Sequence, residues 1–291
     1  MKYILSLFVL LASLGANAQV PHFKHVFVVV EENHSYSRVI GNSAMPYLNQ
    51  LAKTYGLAVD YYANTHPSIG NYFMLTTGKI VTNSDGYTGV VGGNNIVQQL
   101  LLAGKTWKVY AENLPYTGYI GGDRYPYIKH HNPFAYMSDV VNSSSEKLNI
   151  VQLNRLSTDR ANGTLPNYAF IVPNVRHDAH DCPSGSTCTD NQKLAEADAW
   201  LKWQIAPILS SAAFKASGVL VIVFDESTTN DTSHGGGHVA AVVVSSQSKP
   251  GYRSTVFHQH QAVLKLACSA LSLSSCPGAA ASVSAPAEFF K

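Results

Sequence analysis

The chain has 291 residues, 46% hydrophobic and 13% charged, with Lys and Arg numbering 20 against 18 Asp and Glu. That apolar content supports a sizeable core and excludes disorder as a description of the whole. A formal charge of +2 with no Lys/Arg stripe excludes nucleic acid as an electrostatically held partner, and leaves 12 histidines and a sparse set of acids to be explained.

The first 18 residues read as a secretory signal peptide. Lys2 gives a positive start, residues 4–14 an apolar run short of the roughly 20 that span a bilayer, and Ala16-Asn17-Ala18 a cleavage site. The mature chain is expected to start near Gln19, with a secreted or periplasmic destination and no transmembrane segment. Residues 25–30 are a continuous β-branched and aromatic run, as a strand buried on both faces requires. Residues 45–55 have helical spacing, 56–62 read as a short strand, and 68–77 as a helix with Ser68 at its start. A helix over 94–103 stops at Gly104, and a strand follows over 106–111. Strands over 168–172, 219–224 and 239–245, a long helix over 191–211 and a last helix over 258–271 complete the pattern. Segments 81–93 and 113–133, rich in Gly, Tyr, Asn and Pro, read as long loops. Strands separated by helices predict an α/β fold, a mostly parallel sheet sandwiched by helices, in a single domain over 19–291.

The cysteines fall as two local pairs, Cys182 with Cys188 and Cys268 with Cys276. Three connectivities can be drawn, and the short loops are the economical one in an exported protein; neither pair has the C-x-x-C spacing of a zinc site.

The chemistry collects where apolar runs stop. The first strand runs into Glu31-Glu32-Asn33, and the strand ending at Phe224 runs into Asp225-Glu226. In an open α/β sheet the carboxyl ends of strands form the ligand crevice, and buried carboxylates are costly unless a cation meets them. Acids with an Asn amide oxygen suit a divalent ion. Ser68, at a helix N-terminus that favours an anion, is a nucleophile such an ion activates.

These residues resemble a known family. Glu31-Glu32-Asn33-His34-Ser35-Tyr36, Thr65-His66-Pro67-Ser68 with Asn71-Tyr72, Lys129-His130-His131-Asn132-Pro133-Phe134, Asp178-Ala179-His180-Asp181, and Phe224-Asp225-Glu226-Ser227 followed by His234-Gly235-Gly236-Gly237-His238 occur in order. The chain is similar over residues 25–271 to the bacterial and fungal phosphoesterase family of phospholipases C and acid phosphatases, a branch of the alkaline phosphatase superfamily. The resemblance implies an alkaline-phosphatase-like fold and one divalent metal ion per active site on Glu32, Asn33, Asp225 and Glu226. It implies Ser68 as nucleophile, Asn71 as a phosphate contact, and His131 and His180 around the phosphoryl group, with Glu112 as their acidic partner. His66 and Asp178 lie inside the matching motifs. His238 resembles a histidine that follows Asp in longer members, where this chain has Gly237, and His234 is the alternative for that role. His260 corresponds to a late histidine ligand of superfamily relatives.

The function expected is hydrolysis of a small phosphate ester through a phosphoserine, as an acid phosphatase-like phosphomonoesterase. The alternatives are a phospholipase C-type phosphodiesterase and, from another class, a non-catalytic exported protein that binds phosphate and metal. Other enzyme classes lack their signatures: Gln99 stands where a P-loop before Gly104-Lys105-Thr106 needs Gly, and neither G-x-S-x-G nor H-E-x-x-H occurs.

Overall fold

The computed structural model describes residues 19–182 and 187–291, so the segment read as a signal peptide lies outside the described residues. Strand β1 (His25–Glu31) is central because its Val-rich sequence has no polar face, and every residue after His25 is buried. The other strands are β2 (Gly56–Ala58), β3 (Tyr61–Tyr62), β4 (Trp107–Ala111), β5 (Ile150–Gln152), β6 (Tyr168–Val172), β7 (Gly218–Phe224), β8 (Ala241–Ser245), β9 (Tyr252–Ser254) and β10 (His258–Gln259).

Eight strands form one sheet in the order β5-β4-β6-β1-β7-β8-β2-β9. From β5 through β7 every pairing is parallel, β8 is antiparallel to both its neighbours, and β9 is parallel to β2. The mostly parallel α/β architecture expected from the sequence is therefore the one observed. Helices flank it: Ser68–Thr77 packs against His260–Ala270, and Pro46–Thr54 against Asp190–Ser210. The long helix Asp190–Ser210 opens with a reciprocal capping box between Thr189 and Gln192. Among the described residues, no helix is long and apolar enough to cross a membrane. Both expected disulfides are formed, and Cys268–Cys276 ties the last helix to the C-terminal segment.

Two boundaries differ from the sequence reading. The run 56–62 is two strands, because the chain leaves the main sheet at Val59 and Asp60 and pairs Tyr61 and Tyr62 with His258 and Gln259 of β10 in a separate two-stranded sheet. His258 and Gln259 are thus extended, and the last helix starts at His260. The small sheet anchors the loop that leads from Tyr62 to Ser68. Strands β5 and β9, three residues each, are too short for a period of two to register in sequence. The loop 113–133 is irregular except at its end, where the 3-10 turn Lys129–His131 carries His131 inward.

Candidate active site

The register between β1 and β7 pairs Glu31 with Phe224, so the two strands end level and Glu32 and Asp225 leave the sheet side by side. The Asp225 N–H donates to the Glu31 carbonyl at 2.8 Å, and the Glu32 N–H donates to the Asp178 carbonyl at 2.7 Å. The second bond draws a third acid, from the segment after β6, to the same edge. All three carboxyl groups are buried.

Helix Ser68–Thr77 faces them. The Ser68 hydroxyl donates to Glu32 Oε2 at 3.0 Å, and one turn on the Tyr72 hydroxyl donates to Glu32 Oε1 at 2.6 Å. The loop before Ser68 is held by Asn71, whose Oδ1 accepts from the N–H groups of Asn64 and Thr65 at 3.0 and 3.2 Å while its Nδ2 donates to the Thr65 carbonyl at 2.8 Å. Asn71, the expected phosphate contact, thus bonds to the backbone of the loop before Ser68. The glycines of the run His234-Gly235-Gly236-Gly237-His238 press on the same loop: a Cβ on Gly235 would lie 2.1 Å from the Asn64 carbonyl oxygen, and one on Gly236 2.4 Å from that of Thr65.

His131 completes the centre. Its ring stacks on Tyr72 with centroids 5.1 Å apart and planes at 3°, placing Nε2 3.4 Å from Glu32 Oε1 and Nδ1 3.3 Å from Asp178 Oδ2. Burial pushes His131 down to about 3, and burial pushes Asp178 up to about 8. Glu32 and Asp225 are also raised, first by burial and then by their acidic neighbours; the Tyr72 bond opposes this at Glu32, and Ser68 and the Asn33 N–H oppose it at Asp225. Low dielectric and mutual repulsion both disfavour the ionised cluster.

The remaining expected residues separate into those at the site and those beside it. Asn33, with φ 57, directs Nδ2 to Glu32 Oε2 at 3.1 Å and its N–H to Asp225 Oδ1 at 3.1 Å. Glu226 turns one oxygen to His66 Nδ1 at 3.0 Å, while His66 Nε2 faces the Asp231 carbonyl at 3.0 Å. With acceptors at both nitrogens the imidazolium is favoured, and the bond to Glu226 raises the His66 pKa. His180 is the exposed member, its side chain 45% exposed, with ring centroids 6.4 Å from His131 and Nδ1 2.8 Å from Asp181 Oδ1.

Besides Asn71, four expected residues make contacts that the sequence reading does not assign to them. Glu112 partners neither His131 nor His180: its Oε2 accepts from His177 at 2.8 Å and from the Asn174 N–H at 3.1 Å, and Asp178 is the acid beside His131. His238 is clamped between the rings of Tyr36 and Tyr62, with Nε2 on the Val59 carbonyl at 3.0 Å. His234 is exposed and lies against Tyr62 and Phe257. His260 is completely buried with both nitrogens engaged: Nε2 donates to the Asp225 carbonyl at 2.6 Å and Nδ1 accepts from the Tyr61 hydroxyl at 3.0 Å, so the ring braces the site backbone. Sequence reading missed the part played by Tyr72, although its spacing of four from Ser68 on one helix was the available signal.

The centre has the donor set of a cation site. Ligand atoms of buried Glu32, His131 and Asp178 lie within 4.8 Å of one another. Among the described residues, Asp178 Oδ2 and Asp225 Oδ2 are buried without a hydrogen bond, His131 Nδ1 lying 3.3 Å from the former. Buried carboxylate oxygens left unpaired carry a desolvation cost that a divalent ion would offset, and the mixed carboxylate and imidazole set suits one.

Known proteins resemble this chain in sequence and in fold. A model of the phosphoesterase family matches residues 42–270. A phosphatidylinositol-3-phosphatase of Mycobacterium tuberculosis is 32% identical over 248 residues, covering 84% of this chain and 76% of that protein. A probable acid phosphatase of Kluyveromyces lactis is 31% identical over 216 residues, 71% of this chain and 48% of that protein, so the chain spans about half the length of that relative. Among solved structures, an alkaline phosphatase superfamily protein of Vibrio parahaemolyticus has a TM-score of 0.60 at 12% identity, over 88% of this chain and 68% of that one, which shows a shared fold. The chain belongs to the phosphoesterase family of phosphoric ester hydrolases.

Proposed function

We propose that this protein is an exported, divalent-metal-dependent phosphomonoesterase of acid phosphatase type, with a single catalytic domain from residue 19 and Ser68 as its nucleophile. The observation that carries the reading is the Ser68 hydroxyl at a helix start, 3.0 Å from the buried Glu32 carboxylate, beside unpaired oxygens of Asp225 and Asp178. Export is supported by the two disulfides and by the signal-like start of the chain.

Glu32, Asn33, Asp225 and Glu226, the residues that the family resemblance assigns, would hold the ion, with His131 and Asp178 beside Glu32. When bound, it supplies a lowered pKa for the Ser68 hydroxyl and polarisation of a phosphoryl oxygen. Ser68 Oγ attacks phosphorus in line; the new O–P bond forms as the ester O–P bond breaks, leaving phosphoserine and an alcohol. Its hydroxyl proton would pass to Glu32 Oε2, 3.0 Å away, and return to Ser68 Oγ when the phosphoserine is cleaved. Tyr72 and His131 fix the position of Glu32, and Asn71 with the glycine run fixes the loop before Ser68. His180, exposed and with Asp181 beside it, would protonate the leaving alkoxide. Water then cleaves the phosphoserine and restores the hydroxyl.

The names of the relatives support a phosphate ester as substrate, and the class is tested directly. A chromogenic phosphate monoester, a diester, a phosphocholine ester and phosphatidylinositol 3-phosphate are offered to the mature protein, with and without chelator, and to Ser68→Ala. The reading expects monoester hydrolysis lost on chelation and in Ser68→Ala. Cleavage of diesters alone establishes the phospholipase C-type alternative, and metal uptake without turnover the non-catalytic one. Full activity in Ser68→Ala overturns the nucleophile assignment.

A further inference from the structure

One turn of helix Ser68–Thr77 grips both oxygens of a single carboxylate, Ser68 on Oε2 and Tyr72 on Oε1 of Glu32. The terminal torsion of a glutamate is broad and two-fold, so an unrestrained carboxylate presents either oxygen at many angles. Two hydroxyl donors spaced i and i+4 remove that freedom, because they approach from the same helix face with fixed separation. Their roles differ in time. Ser68 gives up its proton when it attacks, whereas the Tyr72 hydroxyl, buried and aimed at Oε1, takes no part in bond making.

We propose that Tyr72 is the positioning residue of the centre, holding Glu32 by Oε1 so that Oε2 stays presented to Ser68 and to the cation through the whole turnover. This rests on the phosphatase reading of the site. The ring contributes as well as the hydroxyl. Stacked on His131 at 5.1 Å and 3°, it sets the plane in which Nε2 comes to 3.4 Å from the same Glu32 oxygen. A side chain at this position that served only as core filling would need the ring and not the oxygen. The hydroxyl is the part that discriminates.

Tyr72→Phe retains the ring, its volume and the stack, and removes one hydrogen bond. Tyr110→Phe is the control: that tyrosine is equally buried and its hydroxyl donates to a carboxylate, Asp159, at 2.8 Å, in a different part of the molecule. Both variants and the wild type are titrated with Mn2+ by calorimetry, and kcat and KM are measured on a phosphate monoester. Outer partners of metal-ligating groups are worth about 10–100-fold in affinity or activity. Tyr72→Phe is expected to weaken Mn2+ binding and lower kcat by factors in that range, with a smaller change in KM. Tyr110→Phe should lower the melting temperature while leaving Mn2+ affinity and kcat as in the wild type. Equal losses of Mn2+ affinity in the two variants would mean a general structural effect and overturn the proposal. Wild-type Mn2+ affinity and kcat in Tyr72→Phe would overturn it while leaving the phosphatase reading intact. A wild-type protein that neither takes up Mn2+ nor cleaves the ester overturns that reading, and the proposal with it.

Discussion

His260 Nε2 lies 2.6 Å from the carbonyl oxygen of Asp225, so the backbone that carries one of the two unpaired site carboxylate oxygens is braced from behind by a buried ring. A carbonyl only accepts, which places the proton on Nε2 and leaves Nδ1 to accept from Tyr61. We expect His260→Leu to leave both the Asp225 carbonyl and the Tyr61 hydroxyl unpaired in the interior. At about 1–3 kcal/mol for each buried unsatisfied group, urea unfolding should show a loss of several kcal/mol. Unchanged stability would remove the bracing role.

Exchanging Glu112 and Asp178 as partners of His131 has a kinetic signature. Asp178→Asn, which alters the acid 3.3 Å from His131, is expected to lower kcat about 10–100-fold. Glu112→Gln disturbs the links to His177 at 2.8 Å and to the Asn174 N–H, none of them to His131, and should leave kcat much closer to wild type than Asp178→Asn does. Steady-state kinetics of the two variants decide it, and the reverse order would restore Glu112 to the site.

Gly236 is a contact residue. A Cβ there would stand 2.4 Å from the Thr65 carbonyl oxygen and 2.7 Å from the Ala63 side chain. Gly236→Ala must displace the loop that precedes Ser68, at a cost on the order of 1–3 kcal/mol for overpacking. Activity should fall more than tenfold while near-UV circular dichroism still reports a folded core. An alanine variant with normal turnover would show that the loop has slack.

The tail supplies a pH-dependent clamp. Glu288 Oε1 accepts from His258 Nε2 and from the Ser254 hydroxyl, both at 2.7 Å. Burial raises its pKa, but those two bonds outweigh burial and hold it below the usual value. A carboxylate depressed in the folded state adds stability that is fully present above the unfolded value of about 4.3 and is lost as pH falls through the folded one. Thermal unfolding of Glu288→Gln should therefore fall short of wild type at neutral pH and converge with it in acid. A gap of constant size down to acid pH would rule out the linkage.

What could be read in the sequence and what could not divides along physical lines. The strands that carry Glu32 and Asp225 are long apolar runs ending abruptly in acids, and both hydrophobicity and charge mark that boundary in one dimension. Ser68 was legible from its company and its helix. The partners of the histidines were not, because a hydrogen bond between residues 35 or more apart leaves no spacing to detect: His66 with Glu226, His260 with Asp225, and His177 with Glu112 all join distant segments. The motif His234-Gly235-Gly236-Gly237-His238 drew notice for its histidines, whereas its glycines are what the fold requires. Tyr61 and Tyr62 read as the end of one strand because pairing partners, unlike strand propensity, are set by tertiary context.

The level ends of β1 and β7 turn strand length into a ruler for chemistry. Removing one residue from β7 would draw the following acid back by about 3.3 Å and turn its side chain to the opposite face of the sheet, because side chains alternate with a period of two. Asp225 would then address the helix layer behind the sheet while Glu32 stayed in place. Insertions and deletions at the outer strands β5 and β9 carry no such consequence for the acids. Tolerance to length change should thus fall steeply from the edges of this sheet to its middle, where the count of residues between Gly218 and Asp225 decides which face the acid meets.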